Sequence, residues 1–318
     1  MEDLKLPIIN LNHYNVHFSA SSIRKACNEC GFFYLVNHGV EKELLAAVFE
    51  ESRKFFSRPH EQKLRSLSKG GSRGFIPLYA HKLDANSSTS KGDAKESFTI
   101  GPLLENGESG DDINIWPRED VFPTWKSTMQ DYYGKVQSAG KKLISLIALS
   151  LNLEEDFFVK NDAMVSPASF LGLQHYIGEL GDTDEEVYGA SAHTDFGTLT
   201  LLATDGVRGL QVCRDKFAEP KVWEDVPHID GAFIVNIGDA IERWTNGIFL
   251  SNLHRVIPTG QERFSVVFTL DANPDWIIEC AETCCSQSSP SRFPPVRFGD
   301  FLAQRFKRLH DTAAKQES

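Results

Sequence analysis

The stretch Ser191-Ala192-His193-Thr194-Asp195-Phe196-Gly197-Thr198-Leu199-Thr200-Leu201-Leu202 decides how this chain is read. Taken as extended backbone, it places His193 and Asp195 two positions apart, so both side chains leave the same face. A histidine and a carboxylate side by side can hold one divalent metal from one side. A third ligand must come from elsewhere, and His254 is the candidate, on the apolar, strand-like run Asn252-Leu253-His254-Arg255-Val256. Two His and one carboxylate on a single face leave three coordination positions open, an arrangement suited to non-haem Fe(II). Zinc accepts the same three groups with a water in a fourth position. The triad alone therefore leaves the metal open.

Outward from the triad, Arg263-Phe264-Ser265 begins nine residues after His254. Strand alternation puts Arg263 and Ser265 on one face, where a guanidinium fork beside a hydroxyl can grip a carboxylate end-on. Upstream, Leu173-Gln174-His175-Tyr176 ends another apolar run with a Tyr hydroxyl available to the same anion. In the order His193-x-Asp195, His254, Arg263-x-Ser265, the chain resembles the plant-type soluble 2-oxoglutarate/Fe(II)-dependent dioxygenases, the isopenicillin-synthase-like oxygenases. The resemblance extends to Gly31-Phe32-Phe33 and Asn37-His38-Gly39 near the start, and to the turn Asn114-Ile115-Trp116-Pro117. One departure is Gln174, where the family often has Asn.

The resemblance implies that His193, Asp195 and His254 hold Fe(II), and that Arg263, Ser265 and Tyr176 hold 2-oxoglutarate as co-substrate. It also implies that O2 is consumed, with ascorbate as an in vitro reductant. The reaction expected is oxidation, by default hydroxylation, of a C–H bond in a small organic metabolite, with 2-oxoglutarate decarboxylated to succinate and CO2. Desaturation, ring closure and dealkylation use the same machinery. No catalytic residue beyond the metal centre is expected. Phe75, Tyr79, Phe98, Phe196 and Trp244 are the expected pocket-lining residues, each weighed against ordinary core packing.

Composition fits this reading. The chain has 318 residues, 41% hydrophobic and 24% charged, with a formal net charge of −11. It is long enough for one large domain or a core with an appended subdomain. The acidic balance argues against nucleic acid as a partner. No apolar run approaches the length of a membrane span, and the charged start Met1-Glu2-Asp3-Leu4-Lys5 lacks a signal-peptide core. Six Cys at irregular spacing do not make a disulfide scaffold. Cys27-x-x-Cys30 lacks a second pair for zinc and reads as buried helix thiols. A cytoplasmic monomer is the expectation.

The fold expected is mainly β with flanking helices: a double-stranded β-helix, or jelly roll, with a helical N-terminal region and a C-terminal helix. Residues 1–118 form the N-terminal region with substrate-pocket loops, 119–152 a long scaffold helix, 153–280 the jelly-roll core and 281–318 a helical tail. A strand over Leu6–Leu11 precedes a helix over Ser19–Cys30, capped by Ser, and a strand over Phe32–Val36. His38, beside a turn Gly, reads as structural. An amphipathic helix spans Glu41–Phe56. Polar, Gly/Ser-rich loops at Ser68–Phe75 and Asn86–Gly92 bracket the apolar island Phe75–Leu83. Apolar residues every three or four positions from Phe122 to about Leu151 make one long helix.

Short strands follow at Phe170–Ile177, Gly189–His193, Thr198–Ala203, Gly209–Cys213, Val222–Val226, Ala232–Ile237, Ala240–Trp244, Asn252–Val256 and Arg263–Asp271. The acidic stretch Glu179–Glu186 reads as a solvated loop. A helix from Phe298 packs back on the barrel, and its polar tail frays after about His310. Three rival readings stand beside the main one: a same-fold Fe(II) oxidase that does not use 2-oxoglutarate, a non-catalytic metal-binding β-barrel, and a zinc hydrolase. The last lacks an evident general base beside the triad.

Overall fold

A computed structural model describes residues 5–13, 15–68, 73–80, 83, 92–103, 114–165, 168–179 and 187–316, with side chains to residue 307. Most of the Gly/Ser-rich loop residues and all of the acidic stretch after Glu179 fall outside the described residues. In chain order the first half contains β1 (Ile8–Asn10), α1 (Val16–Glu29), β2 (Phe32–Val36), α2 (Lys42–Phe56), α3 (His60–Lys63), β3 (Gly74–Ile76), β4 (Lys95–Ile100) and α4 (Trp125–Ser150). After α5 (Phe157–Lys160) come β5 (Phe170–Tyr176), β6 (Ala190–His193), β7 (Leu199–Thr204), β8 (Leu210–Cys213), β9 (Trp223–Asp225) and β10 (Phe233–Ile237). The chain continues through α6 (Asp239–Trp244), β11 (His254–Val256), β12 (Arg263–Leu270), β13 (Ile277–Ile278), β14 (Val296–Arg297) and α7 (Phe298–Gln316).

The strands form a major sheet in the order β1-β2-β10-β7-β12-β5-β4-β3, a minor sheet in the order β6-β11-β8-β9, and the small pair β13-β14. Side-chain alternation gives the major sheet two different faces. Leu171, Leu173, Leu199, Leu201, Phe233, Val235, Phe264, Val266 and Phe268 lie in one hydrophobic cluster with the helices. Phe32, Tyr34, Tyr176 and Ile234 share a second cluster with Ala190, Leu210, Val212 and Val256 of the minor sheet. The two sheets thus close on each other as a jelly roll, with helices covering the outer face of the major sheet.

The long helix is the scaffold that its apolar stripe implies. Trp125, Met129, Tyr132, Tyr133, Val136, Leu143, Ile144 and Ile147 are all buried, and α4 lies against β12 and β7. A Cβ on Gly140 would sit 3.3 Å from Leu270, so the helix approaches the sheet closely there. Four aromatic rings lock this layer. Phe98 lies 4.7 Å from Trp125 and 5.0 Å from Phe55, which is 5.8 Å from Phe75.

Three local expectations are corrected. Helix α1 starts earlier than Ser19, because Asn15 rather than Ser caps it, its Oδ1 accepting from Phe18 N at 3.1 Å. Ala240–Trp244 is helical, not a strand. Gly238 brings the backbone so near the metal-ligand loop that a Cβ would stand 2.2 Å from Gly197 O, and Ala240, Ile241 and Trp244 then share the buried side of one turn. Lys95–Ile100, unassigned in the sequence reading, is a strand. Elsewhere α7 continues past His310 to Gln316.

His38 has the structural role expected of it. Its Nε2 donates to Gly231 O at 2.9 Å, its Nδ1 accepts from Val40 N at 3.2 Å, and burial holds its pKa below the usual value. Cys27 and Cys30 are buried free thiols, with burial pushing Cys30 up to about 11.

Phe98→Ala removes the ring at the centre of the aromatic layer. It should lower the unfolding free energy by about 3–5 kcal/mol, measured by urea denaturation followed through tryptophan fluorescence.

Candidate active site

His193 ends β6 and His254 begins β11, and the two are direct partners across this antiparallel pair. Their rings lie 4.2 Å apart. Asp195 sits just past β6, where the chain leaves the minor sheet for the major one. The Nε2 atoms of His193 and His254 stand 3.7 and 3.6 Å from Oδ1 of Asp195. The three ligand atoms lie within 4.8 Å of one another, and no other group of His, Cys, Asp and Glu among the described residues gathers in this way.

Neighbouring groups aim each ligand. The Nδ1 of His193 is 2.7 Å from Ser191 O, and that of His254 is 3.3 Å from Asn252 O. A carbonyl oxygen can only accept, so each Nδ1 carries the proton and each Nε2 keeps its lone pair for a metal. On Asp195, Oδ2 accepts from Thr200 Oγ1 and, at 2.7 Å, from Asn236 Nδ2. Oδ1 is left facing the histidines. Phe32 closes the far side of His254, edge to face at 5.5 Å.

The electrostatics suit a cation. Burial, with His254 adding to it, pushes the pKa of His193 down to about 3, so the imidazole is neutral. Burial opposes the charge on Asp195. The two imidazoles and the hydrogen bonds from Asn236 and Thr200 outweigh it and hold the carboxyl below its usual range. His193 offers a neutral imidazole and Asp195 a carboxylate, so neither must first lose a proton to coordinate.

Arg263 and Ser265 lie on the inner face of β12, with Tyr176 opposite Arg263 and Gln174 opposite Ser265 on β5. Arg263 is 2% exposed, and its guanidinium lies 4.7 Å above the Tyr176 ring. Its Nε donates to Val207 O at 3.2 Å. Its Nη1, the hydroxyl of Ser265 and Oε1 of Gln174 are buried without a hydrogen-bond partner, and no carboxylate of the described residues pairs with Arg263. Leaving such donors unsatisfied costs about 1–3 kcal/mol each, more for charged groups. An incoming carboxylate would satisfy both donors at once.

The expected pocket residues divide. Phe75 and Phe98 are wholly buried and Trp244 nearly so. Phe75 and Phe98 belong to the aromatic layer under α4, and Trp244 packs against Phe158 at 4.7 Å. These three are core residues, because their strand or helix position turns them to the apolar side. Phe196 and Tyr79 are half-buried. Phe196 stands edge-on to Phe306 of α7 at 5.7 Å, and Tyr79 sits on a turn with φ of 64°. Thr200 and Asn236 were not singled out from the sequence, although each is a polar residue flanked on both sides by apolar ones.

The N-terminal region, residues 6–119, matches the family described as non-haem dioxygenase in morphine synthesis N-terminal, and residues 170–272 match the 2OG-Fe(II) oxygenase superfamily. The chain is 37% identical to azadirone synthase of Melia azedarach over 96% of its own length and 92% of the relative's. It is 38% identical to kihadalactone A synthase of Citrus sinensis, with the same coverage.

The chain belongs to the 2-oxoglutarate–Fe(II) oxygenase superfamily. A crystal structure of a full-length Neurospora crassa protein in complex with alpha-KG and thymine superposes on this oxygenase with a TM-score of 0.83 at 26% identity, covering 98% of each chain. The protein is a 2-oxoglutarate-dependent dioxygenase that uses Fe(II). Among the described residues, no helix is long and apolar enough to cross a membrane.

Two outcomes follow from this geometry. Thr200→Val and Asn236→Leu should each weaken Fe(II) binding by roughly 10- to 100-fold, read by anaerobic titration. His193 stays neutral in the fold but takes a proton near its ordinary value of 6.5 when unfolded. The unfolded state therefore binds more protons below that pH, and metal-free stability should fall as pH drops from about 6.5 towards 3. Denaturation at stepped pH measures the loss, and His193→Leu should reduce it.

Proposed function

We propose that His193, Asp195 and His254 hold Fe(II) on one face, and that Arg263, Ser265 and Tyr176 hold the distal carboxylate of 2-oxoglutarate. The observation that carries the co-substrate assignment is the buried, unpaired end of Arg263 beside the unpaired hydroxyl of Ser265. Both face the cavity from a strand adjacent to Tyr176. Bound Fe(II), 2-oxoglutarate and O2 supply the oxidising chemistry, with succinate and CO2 as co-products.

The rest of the task belongs to the chain's own residues. Thr200 and Asn236 keep one oxygen of Asp195 occupied, so the carboxylate presents the other. Ser191 and Asn252 fix the imidazole tautomers. Arg263 orients the co-substrate by its far end, and the paired sheets keep bulk water from its near end.

The reaction we assign is hydroxylation of a C–H bond in a small organic metabolite. The matched synthases are named for azadirone and kihadalactone A, and the Neurospora protein holds thymine. Phe196 and Tyr79 are our substrate-facing residues, with residues 1–118 shaping the pocket around the 153–280 core. A monomer in the cytoplasm is the working assignment.

Metal-free protein given Fe(II) and then 2-oxoglutarate without oxygen should develop a weak visible charge-transfer band. Arg263→Met strands no partner charge but removes the fork, and should raise the 2-oxoglutarate requirement by roughly 30- to 1,000-fold, about 2–4 kcal/mol. Retention of normal 2-oxoglutarate affinity in that variant would remove the co-substrate assignment.

A further inference from the structure

A second cation lies on the inner face of the major sheet. On β4, Glu96, Phe98 and Ile100 point outward. Glu96 takes Lys63 Nζ at 2.6 and 2.7 Å and His175 Nδ1 at 2.8 Å, and Phe98 and Ile100 join the helix-side core. Alternation therefore turns Lys95, Ser97 and Thr99 inward. Lys95 is the direct partner of Tyr176, whose other neighbour is Arg263. One row across three strands thus reads Lys95, Tyr176, Arg263.

The start of this strand is fastened beside the metal ligands. Asp93 Oδ1 accepts from Ser191 N at 2.9 Å and also from the Ser191 hydroxyl, and Ala94 N donates to Tyr188 O at 2.8 Å. Ser191 lies two residues before His193. Lys95 is half-buried, and its ammonium has no hydrogen bond or ion pair among the described residues. Lys42, Lys54, Lys63, Lys135, Lys160, Lys216 and Lys221 all have acidic partners.

We propose that Lys95 is a specificity residue that receives a carboxylate of the primary substrate, on the metal-ligand side of Tyr176 and apart from the co-substrate anion at Arg263. The proposal rests on the co-substrate assignment above. It narrows the substrate class to small organic acids, with the carboxylate held by Lys95 and the oxidised carbon directed towards the triad.

The test uses matched probes on the full-length Fe(II) enzyme: phenylacetate, cinnamate and hexanoate, each beside its methyl ester. The readouts are perturbation of the anaerobic chelate band and succinate formation in air. Wild-type enzyme should respond to at least one acid at a concentration about tenfold or more below that of its ester. Lys95→Met should abolish that preference while its 2-oxoglutarate requirement stays within about twofold, and Lys95→Arg should restore it.

No acid preference in wild-type enzyme, or a preference that survives Lys95→Met, overturns the proposal. So does a tenfold rise in 2-oxoglutarate requirement in Lys95→Met, which would make Lys95 a second hand on the co-substrate. Absence of the chelate band in wild-type enzyme would instead defeat the co-substrate assignment itself.

Discussion

The pairing of His254 with His193 across β6 and β11 is the constraint on which the centre depends. A slip of one residue in either strand would turn one imidazole out of the cavity. The strands are short, so backbone pairing alone specifies the register weakly. Apolar neighbours strengthen it: Ala190, Leu210, Val212 and Val256 all face the inner cluster, and a slip would exchange them for outward-facing residues. The third ligand is not on the minor sheet at all. Asp195 lies in the crossover and is held by Thr200 on β7 and Asn236 on β10, so the triad exists only when the two sheets are correctly docked.

The major sheet separates stability from chemistry by its faces. Its outer side is packed with aromatic and aliphatic residues against α2 and α4, where burial is worth about 1.5–3 kcal/mol per large side chain. Its inner side carries Thr200, Asn236, Gln174, Ser265 and Arg263, several of which are desolvated without full hydrogen bonding. His175 and Tyr176 show the separation in two adjacent residues. His175 points outward, its ring nitrogens 2.8 and 2.7 Å from the carboxylates of Glu96 and Glu262, and its ring is stacked on Phe264. Tyr176 points inward beneath the Arg263 guanidinium.

This separation explains what the sequence could reveal. Motifs with short, regular spacing were legible: Arg263-x-Ser265 places two side chains on one face of β12, and His193-x-Asp195 brings its two ligand atoms together although Asp195 lies beyond the end of β6. The long helix was legible because its stripe repeats over 26 residues. The pocket aromatics were not legible, since Phe75, Phe98 and Trp244 differ from pocket residues only in which way their element turns. Strand β4 was obscured by the polar run Lys95, Glu96 and Ser97, in which Glu96 is buried only because Lys63 and His175, far away in sequence, meet it. Helix α6 was hidden because Ala-Ile-Glu-Arg-Trp is too short to display a helical period, and the close approach at Gly238 depends on Gly197, 41 positions earlier. Thr200 and Asn236 did leave a trace, each being a polar side chain flanked on both sides by apolar ones.

The row Lys95, Tyr176, Arg263 places two cations on one inner surface with an aromatic ring between them. Strands two apart are separated by about 10 Å. At an effective dielectric constant near 20, like charges at that distance repel by about 1–2 kcal/mol, less where solvent reaches Lys95. Arg263 is the more deeply buried of the two and the more costly to leave unneutralised. A dicarboxylate seated at Arg263 removes that repulsion along with the desolvated charge, and the field left at the metal-ligand side is that of Lys95. On the two assignments proposed above, a co-substrate carboxylate at Arg263 would neutralise the inner cation and leave Lys95 as the charge that meets what enters next.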